Sequence, residues 1–340
     1  MEKPLRGIFP QNFIERDIYL IASEGELLSP TNLKAELFFK YFKQRIFEQE
    51  NFQLDLIRPA EPLNSLPWLE GILGMDIRVT GQAIWAEPLL EKREEIKNFN
   101  PILNEKWLET TLTFVSDLVR EFSPLYPIAG PFLRGPADIV AAMIGTDRFC
   151  LEIMDHPGEI SRLMKFCAQA WVEVISEVIK RIPIWNGGYI PGARWVWAPG
   201  ECVYFSEDTT VLLSPKQYKE IILPFNLWMA SKIPYGFVHR HSASLHNIHH
   251  LLDLPSGWAI EVTMDPSGPS FEKMLPVLLE IQAAHRSLII FYPRSLFPVE
   301  SFLEGLSPHQ LCLIEYSEKV DPVFQPDEFK RWKKNYAKVL

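Results

Sequence analysis

Cysteine is scarce in this chain: there are four in 340 residues, Cys150, Cys167, Cys202 and Cys312, and no two form a C-x-x-C pair. That excludes a disulfide framework and a ready-made zinc knuckle, and it makes a reducing cytoplasm the expected home. Long apolar runs are missing too. No stretch approaches the roughly 18 apolar residues that a membrane-spanning helix needs, and Ser287-Leu288-Ile289-Ile290-Phe291-Tyr292 reads as a short buried strand. Met1-Glu2-Lys3-Pro4 lacks the apolar core of a secretion signal. Positive charge is in deficit, with 34 Lys and Arg against 43 Asp and Glu and a formal net charge of -9. Such a balance argues against nucleic acid or an anionic membrane as a partner. Neither G-x-G-x-x-G nor G-x-x-x-x-G-K-[ST] occurs, so a nucleotide-binding open sheet loses its main support. The serine-hydrolase elbow G-x-S-x-G and the zinc-protease motif H-E-x-x-H are likewise absent.

What remains is an ordinary globular composition, 47% hydrophobic and 23% charged, with short apolar runs alternating with longer helical patterns. Strands are expected at Asp17 to Ala22, Gln53 to Ile57, Pro127 to Leu133, Gly236 to His241, Trp258 to Met264, Ser287 to Tyr292 and Leu311 to Tyr316. Helices are expected at Asp155 to Arg181, Pro215 to Ile233, Ser244 to Leu252, Ser270 to Ala284 and Pro298 to Leu306. Several strands are solidly apolar, as a parallel sheet covered on both faces requires. The expectation is α/β, a single (β/α)8 TIM barrel occupying 1–340 as one domain. Ser214-Pro215 marks one helix start by serine cap and proline, and Asp155-His156-Pro157 marks another.

In such a barrel the chemistry collects where strands end. The segment Phe237-Val238-His239-Arg240-His241-Ser242 ends an apolar strand in two histidines one residue apart. Alternate strand residues share a face, so His239 and His241 point together and Arg240 points away. Two converging imidazoles suit proton transfer or metal binding. Arg134 has the fork geometry to grip a carboxylate, and Asp138 either pairs with a cation or caps the helix beginning near Ile139. Trp185, Tyr189, Trp195 and Trp197 lie in a glycine-containing aromatic stretch. They are suited to walling a pocket or to filling space beneath a loop. Glu207 and Asp208 are adjacent carboxylates just ahead of the Ser214 cap. Glu261, Thr263 and Asp265 alternate on the next strand, which brings Asp265 to the rim. Glu315, Tyr316 and Ser317 stand at the same level on the last one. His246, His249 and His250 belong to a covering helix. Cys150, Cys167 and Cys312 read as core.

Several of these pieces, in this order, resemble the uroporphyrinogen decarboxylase superfamily. They are Gly135-Pro136-Ala137-Asp138-Ile139-Val140, His156-Pro157-Gly158-Glu159, Asp208 with Leu213-Ser214-Pro215-Lys216-Gln217-Tyr218, Leu223-Pro224, His239-x-His241, and Leu275-Pro276 to Gln282. The resemblance covers about Pro127 to Tyr316. It implies the (β/α)8 barrel and one of two activities, porphyrinogen decarboxylation without a cofactor or methyl transfer from corrinoid proteins. The departures are informative. The arginine-rich R-Q-A-G-R-Y segment of the decarboxylases is absent, the corresponding region being Arg16-Asp17-Ile18-Tyr19-Leu20-Ile21-Ala22-Ser23. The methyltransferases hold zinc through His-x-Cys and a later cysteine. Here His239 keeps the first position, His241 replaces the cysteine, and Glu315 to Ser317 occupy the late position.

The leading expectation is therefore methyl transfer from a corrinoid, carried by a partner protein, to a small acceptor. His239, His241 and Glu315 would hold zinc, Asp208 would act beside them, and Arg134, Asp138, Trp197 and Tyr189 would contact substrate. The alternatives are decarboxylation of a carboxylated, tetrapyrrole-like substrate and a non-catalytic ligand-binding barrel. A homodimer is expected from the resemblance alone.

Overall fold

A computed structural model of the chain describes residues 5–9, 25–43, 55–79, 84–293 and 295–316. Its centre is a six-stranded parallel sheet. The strands are β1 (Leu5–Phe9), β4 (Cys202–Ser206), β5 (Tyr235–His241), β6 (Trp258–Thr263), β7 (Leu288–Pro293) and β8 (Leu311–Tyr316), in the order β1-β8-β7-β6-β5-β4. The short β2 (Ile77–Val79) and β3 (Ile84–Ala86) form a separate antiparallel pair. A parallel bridge joins Ala60, three residues past the strand expected over Gln53 to Ile57, to Ile128, inside the one expected over Pro127 to Leu133. The α/β expectation is met: helices alternate with the parallel strands from β4 onward, among them α4 (Phe271–Ala283), and the segment ahead of β4 carries α1 (Glu105–Phe122), α2 (Pro136–Ile144) and α3 (Pro157–Ile179).

Strand periodicity sorts the core into two clusters. Val203, Phe205, Val238, Ile260, Val262, Leu288, Ile290, Leu311 and Leu313 point outward and pack with the helices. Tyr204, Phe237, Ile289, Phe291, Cys312, Ile314 and Tyr316 alternate with them on the inner face. The inner face begins in stacked aromatics, with Tyr204 4.8 Å from both Phe132 and Phe237. On the outer side Phe205 is wedged between Trp171 of α3 and Trp258 of β6 at 5.8 and 5.7 Å. Arg240 also points outward, as the alternation requires. It is buried, and its guanidinium donates to Glu207 O, Thr210 Oγ1 and the Tyr218 hydroxyl, tying the loop after β4 to the helical layer.

Four expected strands, those over Gly236 to His241, Trp258 to Met264, Ser287 to Tyr292 and Leu311 to Tyr316, match β5 to β8 within a residue. The strand expected over Asp17 to Ala22 lies outside the described residues, as do Gln53 and Leu54 of the one expected over Gln53 to Ile57, whose remaining three residues form no strand. β1 and β4 were not foreseen. In β4 the aromatic run Tyr204-Phe205 hides a strand whose two faces are both apolar. Asp155 closes the helix Thr146–Asp155, so α3 begins one step later, with His156 at the cap and Pro157 in its first turn. Ser214 caps its helix as expected, in a reciprocal capping box with Gln217. Among the described residues no helix is long and apolar enough to cross a membrane.

Phe205→Ala removes the side chain that joins α3 to the sheet. We expect a loss of about 3–5 kcal/mol in urea unfolding; a loss below about 1 kcal/mol would show that this contact does not hold the helical layer.

Candidate metal and active site

The parallel register of β4, β5 and β6 assembles the site. Ser206 pairs with His239, His239 with Glu261, and His241 with Thr263. Because Glu261 and Asp265 share the inward parity of the histidines, each faces an imidazole from the next strand. His239 Nδ1 meets Glu261 Oε2 in a short contact, and His241 Nδ1 meets Asp265 Oδ1 at 2.7 Å. An ionised carboxylate only accepts, so each Nδ1–H donates, and in the neutral ring each Nε2 keeps its lone pair. Both lone pairs face Asp208, whose Oδ1 lies 3.6 Å from His239 Nε2 and 3.9 Å from His241 Nε2. The rings stand edge to face, 87° apart. Asp208, His239 and His241 thus offer one ligand atom each, all within 4.8 Å of one another.

Zinc held tetrahedrally by nitrogen and oxygen ligands spaces those atoms about 3.3 Å apart. The two distances to Asp208 Oδ1, 3.6 and 3.9 Å, stand within a few tenths of an ångström of that spacing. Imidazole Nε2 ligands whose Nδ1–H is held by carboxylate are the usual outer arrangement of such a centre.

Asp208 is positioned by two caps that cross between loops. Asp138, at the start of α2, accepts from Asp208 N at 3.0 Å, Thr209 N at 2.7 Å and Ser206 Oγ at 3.0 Å. Glu207 returns the favour, accepting from Ala137 N at 3.2 Å at the α2 N-terminus. Gly135 permits this approach, since a Cβ there would sit 2.4 Å from Glu207 Oε1 and 2.6 Å from Ser206 O.

The charges favour a cation. Burial alone would raise the Glu261 carboxyl, but Arg194 and His239 outweigh it and hold the group down at about 2. Burial likewise raises Asp265, and the hydrogen bond and charge of His241 bring it below the usual range. Asp265 in turn raises His241. Asp208 moves up, first from desolvation and then from Asp138, against the pull of His239 and His241. Burial pushes Glu207 well up, with Asp138 adding to it.

Of the residues expected to act, His239, His241 and Asp208 come together. Glu315 does not join them: it shares the outward parity of Leu311 and Leu313, while Cys312, Ile314 and Tyr316 face inward. Arg134 Nε donates to the buried carboxylate of Glu70 at 2.5 Å. Asp138 is 4% exposed and spends both oxygens on the Asp208 turn, so its role here is support. Tyr189 lies at the far end of β4, lining a crevice with Ile175, Val178 and Cys202. Trp197 is largely exposed and packs over Gly188 in the same loop. Both belong to the loop that precedes β4. Not foreseen were the anchoring role of Glu261 and the place of Arg194, which reaches Thr263 Oγ1 at 3.3 Å. The alternation Glu261, Thr263, Asp265 carried the first signal; nothing in the sequence marked Arg194.

No protein-family model matches the chain, and no curated protein matches it. Among solved structures the chain is similar to a methyltransferase from Methanosarcina mazei. The TM-score is 0.63 at 12% sequence identity, over 99% of this chain and 95% of that chain. At that identity the likeness is one of fold.

Asp265→Ala keeps all three ligand side chains and removes the anchor of one. Zinc affinity, measured by competition with a chromophoric chelator, is expected to fall about 10–100-fold; unchanged affinity would exclude Asp265 as an orienting group.

Proposed function

We propose that this chain is a methyl-transfer enzyme built on a closed (β/α)8 barrel, with its site at the strand C-terminal ends. Residues 56–60 and 127–129, joined at the Ala60 bridge, would supply the second and third staves between β1 and β4, with 1–340 as one unit. The observation that carries the reading is the convergence of His239 Nε2, His241 Nε2 and Asp208 Oδ1, with each Nδ1 held from behind by a carboxylate. The fold likeness to a methyltransferase and the resemblance in motif order support the same activity.

Under this reading His239, His241 and Asp208 would hold zinc, which would lower the pKa of an acceptor bound to it. Glu261 and Asp265 fix the rings so that both lone pairs meet at one point. His239 is the deeper of the two, 13% exposed against 39% for His241 and 48% for Asp208. The acceptor therefore enters past Asp208 and His241. Phe291, Ile314 and Tyr316 provide an apolar wall on the inner face. The methyl donor is a corrinoid carried by a partner protein, presented at the same mouth. All four cysteines are free, in keeping with a reducing cytoplasm in which a thiol acceptor persists.

Porphyrinogen decarboxylation is less well supported. It asks for guanidinium groups free to meet several carboxylates, whereas Arg134 is engaged by Glu70 and the histidines are ringed by Asp208, Glu261 and Asp265.

Protein purified without chelator should contain about one zinc per chain, and His239→Ala should lose it. Zinc-loaded wild type should accelerate demethylation of methylcob(III)alamin by a small thiol, followed by absorbance, while the stripped protein and His239→Ala should not. Full activity in the metal-free protein would overturn the metal assignment, and absence of transfer to any acceptor with zinc bound would overturn methyl transfer.

A further inference from the structure

Arg194 is the least expected residue near the histidines. It sits between Ala193 and Trp195, both in the left-handed region at φ +62 and +56. Neither is a glycine, and such a residue persists only where its surroundings enforce it. The surroundings here do so. Ala193 N donates to Glu61 Oε2 at 3.0 Å, Arg58 lies 4.7 Å above the Trp195 ring, and the Ala193 and Trp195 side chains pack into the inner apolar cluster. The outcome of this pinned turn is the placement of one guanidinium. Its Cζ lies 3.8 Å from the centroid of the Phe291 ring, its Nε is 3.4 Å from Glu261 Oε1, and its Nη2 is 3.3 Å from Thr263 Oγ1 and 3.4 Å from His239 Nδ1.

Glu261 is fully enclosed. Its Oε2 receives His239 Nδ1, and its Oε1 receives Thr263 Oγ1 at 2.8 Å and faces Arg194. A carboxylate buried to this degree stays in place only when a cation and hydrogen bonds compensate its lost hydration. Phe291 below and Thr263 beside hold the guanidinium in one orientation. Glu261 is held in turn, and so is the His239 ring.

We infer that Arg194 is a positioning residue of the metal site, acting on His239 through Glu261 and not as a ligand. The inference rests on the reading that His239, His241 and Asp208 bind zinc. It adds to that reading a third layer of support: a strained loop that carries a cation to the back of a ligand's anchor.

The test is a double-mutant cycle on full-length protein, read as zinc affinity by chelator competition, with folding checked by circular dichroism. Arg194→Met and Glu261→Gln should each weaken zinc binding about 10–100-fold. Because both act along one chain of contacts, Arg194→Met on the Glu261→Gln background should cost no more than about threefold further, near the scatter of a null effect. If Arg194→Met does not fold, Arg194→Lys takes its place. It keeps the charge but loses the fork and the ring stack, so it should weaken binding about 3–10-fold alone and not at all on the Glu261→Gln background. Arg194→Met within about threefold of wild type would overturn the inference, and so would losses that multiply in the double variant. Wild-type protein that takes up no zinc would instead overturn the metal reading on which the inference rests.

Discussion

A histidine on a buried strand face can present either ring nitrogen, and the one it presents is decided by what holds the other. On β5 that decision is made twice, by Glu261 of the neighbouring strand behind His239 and by Asp265, just past that strand, behind His241. Parallel pairing makes this possible, because residues in register across β5 and β6 share a face and a height. The inward parity that turns the two imidazoles together also delivers the two carboxylates. The His239–Glu261 pair is therefore a property of two paired strands, whereas Asp265 lies two residues past β6 and is held by Ser242 N and Oγ.

The third donor is held by a different device. Asp208 lies just past the end of β4, where no ladder fixes it, and the cross-capping of Asp138 and Glu207 takes the place of a ladder. Gly135 is needed because the two backbones come too close for any Cβ. The same segment is tied from the outer side by Arg240, which reaches Glu207 O and Thr210. Strand alternation thus divides His239-Arg240-His241 between two tasks, chemistry inward and attachment of the site loop outward.

Much of this was legible in the chain. Solid apolar runs located β5 to β8, and period-two alternation assigned His239, Arg240 and His241 to their faces before any coordinates. The same alternation, carried through on β8, would have removed Glu315 from the ligand set, since it falls in step with Leu311 and Leu313. What stayed hidden depends on contacts between segments remote in sequence. Arg134 looked free until Glu70, 64 residues away, was found against it. Asp138 looked like a local cap and instead serves a turn 70 residues on. Arg194 carries no local signal, because its placement follows from a left-handed turn at two residues that are not glycine. β4 was obscured by Tyr204-Phe205, where aromatic content masked a strand apolar on both sides.

The central claim, that two imidazoles and one carboxylate converge on a single cation, is tested most directly by zinc X-ray absorption on protein loaded with the metal. The account predicts a first shell of light atoms only, nitrogen and oxygen at about 2.0–2.1 Å, with the multiple-scattering signature of imidazole, and its loss in His239→Ala. Sulfur scattering at about 2.3 Å, or a fully hydrated ion with no imidazole signature, would contradict it.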